Sequence, residues 1–237
     1  MVTWDCLPRV AAVLFLAATL GPGVAGCGSD SKSGAPPAPS TSSSAAATSA
    51  QAPGGFDISR IDQLANQFPP DSEVTPIPHT TVNQEEADTL AGLRKEFSYD
   101  PPQCGALLSK SSHLGAGSQI QGVSARKPPQ IVILAVESPA PVASDPKIAG
   151  CDRVTFTVPN EARGTAERIA GPAIDGATTT GTKTHVDLTT PEGPKSVDET
   201  TFRAELSGRV EIAVAGKADP ARLEELLTKA VIAIRGH

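Results

Sequence analysis

Histidine and cysteine are the residues with the most restrictive chemistry in this chain of 237 residues, which holds four of each. The histidines, His79, His113, His185 and His237, stand far apart, and no Cys/His group has metal-ligand spacing. A G-x-S-x-G nucleophile turn, an H-E-x-x-H helix and a phosphate-binding P-loop are all missing. A Ser-His-Asp set can still assemble in space from distant positions. The glycines of "GAGS", Gly115 to Ser118, suggest a phosphate loop, but Ile120 stands where a third glycine belongs, so the segment reads as an ordinary loop. Glu85, Glu86 and Asp88 are calcium-like in type. They fall in the first turn of an expected helix, where acids suit the helix dipole and a solvated face is the simpler reading. No cofactor and no metal ligand is expected.

Cys27 is different. It could pair, bind metal, pack or be modified, and its surroundings decide. Val10 to Leu20, "VAAVLFLAATL", carries no charge, and Gly21, Pro22 and Gly23 then break any helix. The tract fits the apolar region of an export signal and is too short for a bilayer, which needs ~20 residues. Val24-Ala25-Gly26-Cys27 resembles the lipobox of bacterial lipoproteins: an apolar residue, two small ones, then the cysteine. That resemblance implies a diacylglyceryl thioether on Cys27, cleavage before it, and a signal peptide over residues 1–26. Two or more acyl chains hold a protein on a membrane, at ~0.8 kcal/mol per buried methylene. The expected partner is therefore the membrane, reached through the lipid on Cys27, on the outer face of the cell membrane.

With Cys6 removed in the leader and Cys27 lipidated, Cys104 and Cys151 remain. An exported pair in an oxidising compartment is expected to form a disulfide rather than a redox centre, since no C-x-x-C exists. The loop it closes is just under fifty residues, which the chain-entropy model values at ~4 kcal/mol. Residues 27–55 hold the lipidated Cys and a tether of Gly, Ser, Ala, Pro and Thr that cannot bury enough surface to order itself. Its reach is ~30 Å. Thr41 and Thr48 in it are O-glycosylation candidates, and a bare spacer is the alternative. Residues 56–237 suit a single domain. Net charge is −6 with no basic run, which argues against nucleic acid and gives no electrostatic reason to lie flat on anionic lipid.

The elements that must position these residues are unevenly marked. "DPARLEELLTKAVIAIR", Asp219 to Arg235, reads as an amphipathic helix with Asp219 as cap, Pro220 at the first position and Gly236 as stop. Its stripe is Leu223, Leu226, Leu227, Ala230, Val231 and Ile234. This stripe is expected to cover strand residues such as Ile133, Val154 or Ile212. Asn83 and Glu86 form a capping box for a second helix through Ala87, Leu90 and Leu93, and Ile58 to Phe68 suggests a short first one. Ile131 to Val136, Cys151 to Val158 and Arg209 to Gly216 read as strands. "TKTHVDLTT" and "DETTFRAEL" are more polar and are expected at a sheet edge. Frequent Pro and Gly favour hairpins, so the expected class is α+β, an antiparallel sheet with flanking helices.

"YDPPQCGALL" (Tyr99 to Leu108), "AGC" (Ala149 to Cys151) and the ending "LLTKAVIAIRG" together resemble a group of mycobacterial lipoproteins. Their folded part is a domain of unknown function, similar in pattern to the extracellular sensor domains of actinobacterial receptor kinases. The kinase domains usually carry two disulfides, and this chain has cysteines for one. The resemblance implies an envelope lipoprotein with a stapled α+β domain and no assigned catalysis. The expected function is non-catalytic ligand binding or sensing. A lipid or glycolipid carrier with an apolar cavity is the alternative, and a hydrolase is the third reading. After loss of Trp4 the aromatics are Tyr99, Phe56, Phe68, Phe97, Phe156 and Phe202, a small set for a sugar-stacking platform.

Overall fold

The computed structural model describes residues 55–108, 113–142 and 150–236, so Cys27, the leader and the tether lie outside the described residues. Nine strands make one sheet in the order β1-β3-β4-β9-β8-β7-β6-β5-β2. They are β1 Val74–Thr81, β2 Ser98–Asp100, β3 Gln119–Ala125, β4 Ile131–Glu137, β5 Arg153–Val158, β6 Ala162–Ile169, β7 Thr178–Thr190, β8 Gly193–Ser207 and β9 Val210–Gly216. Every pairing is antiparallel, as the turn-rich sequence implies. The helices are α1 Gln84–Lys95 and α2 Pro220–Arg235, with two 3₁₀ segments, η1 Ile58–Gln67 and η2 Pro102–Leu107. The α+β class stands, and among the described residues no helix is long and apolar enough to cross a membrane.

The three best-marked helix ends form as their sequences imply. Asp219 accepts from the Ala221 N–H, and Gly236 ends α2 in the left-handed conformation that glycine tolerates. Asn83 and Glu86 satisfy each other's backbone N–H groups at 2.9 Å, a complete capping box. The first short helix is a 3₁₀ helix. Its buried residues Ile58, Ile61 and Leu64 recur every third position, which eclipses them on one ridge in that geometry. η1 and α2 lie together: the Asp57 N–H donates to the Ile234 carbonyl, and the Lys229 ammonium donates to Gln67 Oε1 at 2.7 Å.

The sheet has buried clusters on opposite faces. On one face, η1 and α2 cover Ile131, Ile133, Ile212, Val214, Phe202 and Ala204 in the largest cluster. On the other, Phe156, Val158, Val186, Leu188 and Val197 are packed beneath Phe97 and Tyr99. The Cys104–Cys151 disulfide joins η2 to the start of β5 on this second face, over Val154 and Ala166. Leu226, Leu227 and Val231 therefore share a cluster with Ile133 and Ile212, but Val154 lies away from them under the disulfide, contrary to expectation.

A second correction concerns β7 and β8. They are the longest strands and lie inside the sheet, β8 at its middle, while β1 and the three-residue β2 form the edges. Their polar sequence reflects which face is covered where. In β8, Val197 faces the second core, whereas Phe202, Ala204 and Leu206 face the first. The apolar phase switches mid-strand, so no single alternation survives.

One connection constrains the overall shape. The segment from Val82 to Phe97 carries the chain from one edge strand to the other, by way of α1. Twelve helical residues and a few extended ones reach ~35 Å. A flat nine-stranded sheet is ~38 Å wide before any clearance above its surface. The sheet has to coil for this segment to join its edges.

Candidate ligand groove on the uncovered sheet face

Among the described residues, the face covered by α2 on one half of the sheet is bare on the other. There β6, β7 and β8 turn alternate side chains outward in register: Arg163, Asp187 and Ser196 in one row; Thr165, His185 and Asp198 in the next; Glu167, Lys183 and Thr200 in the third. Each row sets unlike charges or hydroxyls side by side, the favourable cross-strand arrangement. Where this face meets the end of β9 and the turn leading into α2, at Gly216 to Ala218, a groove of about 320 Å³ opens, lined by Glu167, Lys183, His185, Asp198 and Thr200 among others.

His185 is the centre of this surface. Its Nδ1 lies 2.7 Å from Asp198 Oδ1 and its Nε2 3.5 Å from Asp187 Oδ1. The Asp198 hydrogen bond, working against desolvation, raises the His185 pKa above its ordinary value, and the charges of both aspartates add to the rise. The Asp187 pKa is lowered, chiefly because the Ser196 hydroxyl donates to it at 2.6 Å. Serine, histidine and two acids thus meet, but in the wrong order for a nucleophile: the serine is bonded to a carboxylate, and both imidazole nitrogens face carboxylates. What the arrangement presents is a set of paired charges and hydroxyls on an open surface.

The other sequence candidates are dispersed. Cys104 and Cys151 are bridged and buried, with Cα atoms 5.2 Å apart. His79 sits exposed on β1, 3.1 Å from Gln119 Oε1, and His237 lies outside the described residues. His113 is buried, its Nδ1 3.4 Å from Glu211 Oε2. "GAGS" is a loop whose Ser118 hydroxyl is spent on the His113 carbonyl, 2.6 Å away. Glu86 caps α1 and Asp88 accepts from Gln84 on the same exposed helix. Among the described residues no group of three or more His, Cys, Asp or Glu side chains has metal-binding geometry. Of the groove residues only His185 stands out in the sequence. The signal for its neighbours is the alternation of Lys183, His185 and Asp187 against Val186 and Leu188.

These features define a class: a disulfide-stapled antiparallel α+β domain with an open polar sheet face. The chain belongs to the family described as Domain of unknown function (DUF5642), whose model matches residues 57–235. Among solved structures it is similar to the X-ray structure of an uncharacterized protein of Mycobacterium smegmatis, the Rv0999 orthologue. The two are 22% identical, with a TM-score of 0.62 over 77% of this chain and 99% of that one. That likeness is one of fold. No curated protein matches.

Proposed function

We propose that this is a cell-envelope lipoprotein, held to the outer face of the membrane by lipid on Cys27. Its folded domain is a non-catalytic binding or sensing module, similar in pattern to receptor-kinase sensor domains. The observation that carries the binding reading is the charge-paired groove beside α2. Lys183, His185, Glu167 and Asp198 present donors and acceptors within one 320 Å³ recess, which suits a polar ligand rather than an acyl chain. The lipobox of Val24 to Cys27 carries the anchor.

Full-length protein solubilised from membranes tests both parts. In detergent-phase partitioning, Cys27→Ala should move the protein to the aqueous phase, and unchanged partitioning would sink the anchor. Mass spectrometry of small molecules carried through purification should find a polar compound in the wild type that is depleted in a Lys183→Ala/His185→Ala variant. Identical extracts from the two proteins would remove the groove from the proposal.

A further inference from the structure

Glu205 and Glu211 face each other directly across β8 and β9. Two carboxylates in that position repel, and a sheet does not ordinarily hold them so close without a cation between them. The His113 ring lies beside this pair. It is 2% exposed, its Nδ1 is 3.4 Å from Glu211, and the Glu205 charge and the Ser207 carbonyl act on it as well. These neighbours are all acceptors. A neutral imidazole has one N–H to offer them, whereas the cation has two.

His113 also anchors a strap. The Ser118 hydroxyl donates to the His113 carbonyl and accepts from the Gly115 N–H at 3.0 Å. The Gly117 N–H donates to the Val82 carbonyl and the Val82 N–H to the Ser118 carbonyl, both at 2.8 Å. Val82 is buried and begins the segment that runs from β1 to β2, the one that carries α1. Among the described residues α1 packs weakly, with no neighbouring element in extensive contact. Its attachment rests on such end points.

We propose that His113, Glu205 and Glu211 form a proton-operated clamp on the start of this crossing segment, closed while His113 is protonated and loosened when it is not. The sign follows from the surroundings. Burial pushes the His113 pKa down, but Glu211, Glu205 and the Ser207 carbonyl outweigh it, and the result is raised above the ordinary 6.5. The clamp is therefore at full strength below ~pH 6.5 and fails as pH climbs through the higher folded value.

The test uses the full-length protein, with backbone amide exchange measured from ~pH 5 to ~9 and corrected for intrinsic rates. The His113 ring is titrated by NMR in parallel. Exchange across residues 82–90 should speed ~3-fold or more as His113 loses its proton. Glu211→Gln should lower the midpoint of both curves together. His113→Gln should exchange fast at every pH, and His185→Gln should keep the wild-type step. Flat exchange in the wild type while His113 titrates would overturn the clamp, as would a step that survives His113→Gln. Should His113→Gln fail to fold, an unmoved midpoint in Glu211→Gln would overturn it equally.

Discussion

The two halves of the sheet are stabilised by different means on opposite faces. The half built from β3, β4, β9 and the end of β8 is covered by η1 and α2, whose leucines, isoleucines and valines make the largest buried cluster. Among the described residues, the half built from β5, β6, β7 and the start of β8 has no α-helix of comparable coverage. Its clusters are small, and a disulfide occupies the place of a helix. A domain short of apolar cover in one region can restrict the unfolded chain instead of enlarging the folded core. Uncovering one face of that second half is also what leaves the groove open, so the staple and the candidate site are two consequences of one economy.

The sharpest way to break this comparison is to remove the staple. Cys104 and Cys151 are 47 residues apart, and opening a loop of that size should cost ~4 kcal/mol. Chemical denaturation of a Cys104→Ser/Cys151→Ser variant should show the loss. Amide exchange should rise first in β5, β6 and η2, before α2. Simultaneous exposure of both halves would mean that the sheet is one cooperative unit and the division is only geometric.

The helical half should fail by cavity formation. Leu227 is fully buried in the α2 stripe, so Leu227→Ala should cost ~2–5 kcal/mol in the same measurement, with the disulfide intact. A cost near zero would detach α2 from the core and leave the disulfide half as the stable unit.

How much of this is legible in the sequence depends on whether one element meets one environment. α2 has a constant stripe and conventional ends, and the capping box at Asn83 is complete within four residues, so both can be read locally. β4, β5 and β9 each keep one core-facing phase. β8 keeps none, because its two ends serve opposite cores. β1, β2 and β6 give no strand signal for other reasons. β1 carries Pro76 and Pro78, which an edge tolerates, and β2 is three residues long. β6 buries Ala162 and Ala166 with Gly164 between them, where a Cβ would lie 2.2 Å from the His185 carbonyl oxygen and 2.7 Å from the Phe156 ring. Bulk supplied by a neighbour is invisible in the strand that makes way for it. The groove is harder still, since its rows exist only once three strands are in register.

The smallest expected effect sharpens the comparison most, because it lies two residues from the large one. Glu225 is on the outer side of α2, 2.6 Å from Arg222 and 2.7 Å from Lys229, and these two side chains also reach Gln67 at the end of η1. The hydrogen bonds from Lys229 and then Arg222 lower the Glu225 pKa to about 2. A depressed carboxylate pKa stabilises the fold above its ordinary value of 4.5, and the contribution is lost as pH falls towards 2. Here the group is fully exposed, so water and salt screen it. Glu225→Ala should melt within error of the wild type at neutral pH, and any residual difference should vanish in acid and in high salt. If it instead destabilises as much as Leu227→Ala, the polar strap through Gln67 holds α2 to η1. The apolar stripe would then be secondary, and the contrast between a helix-covered half and a stapled half would lose its physical basis.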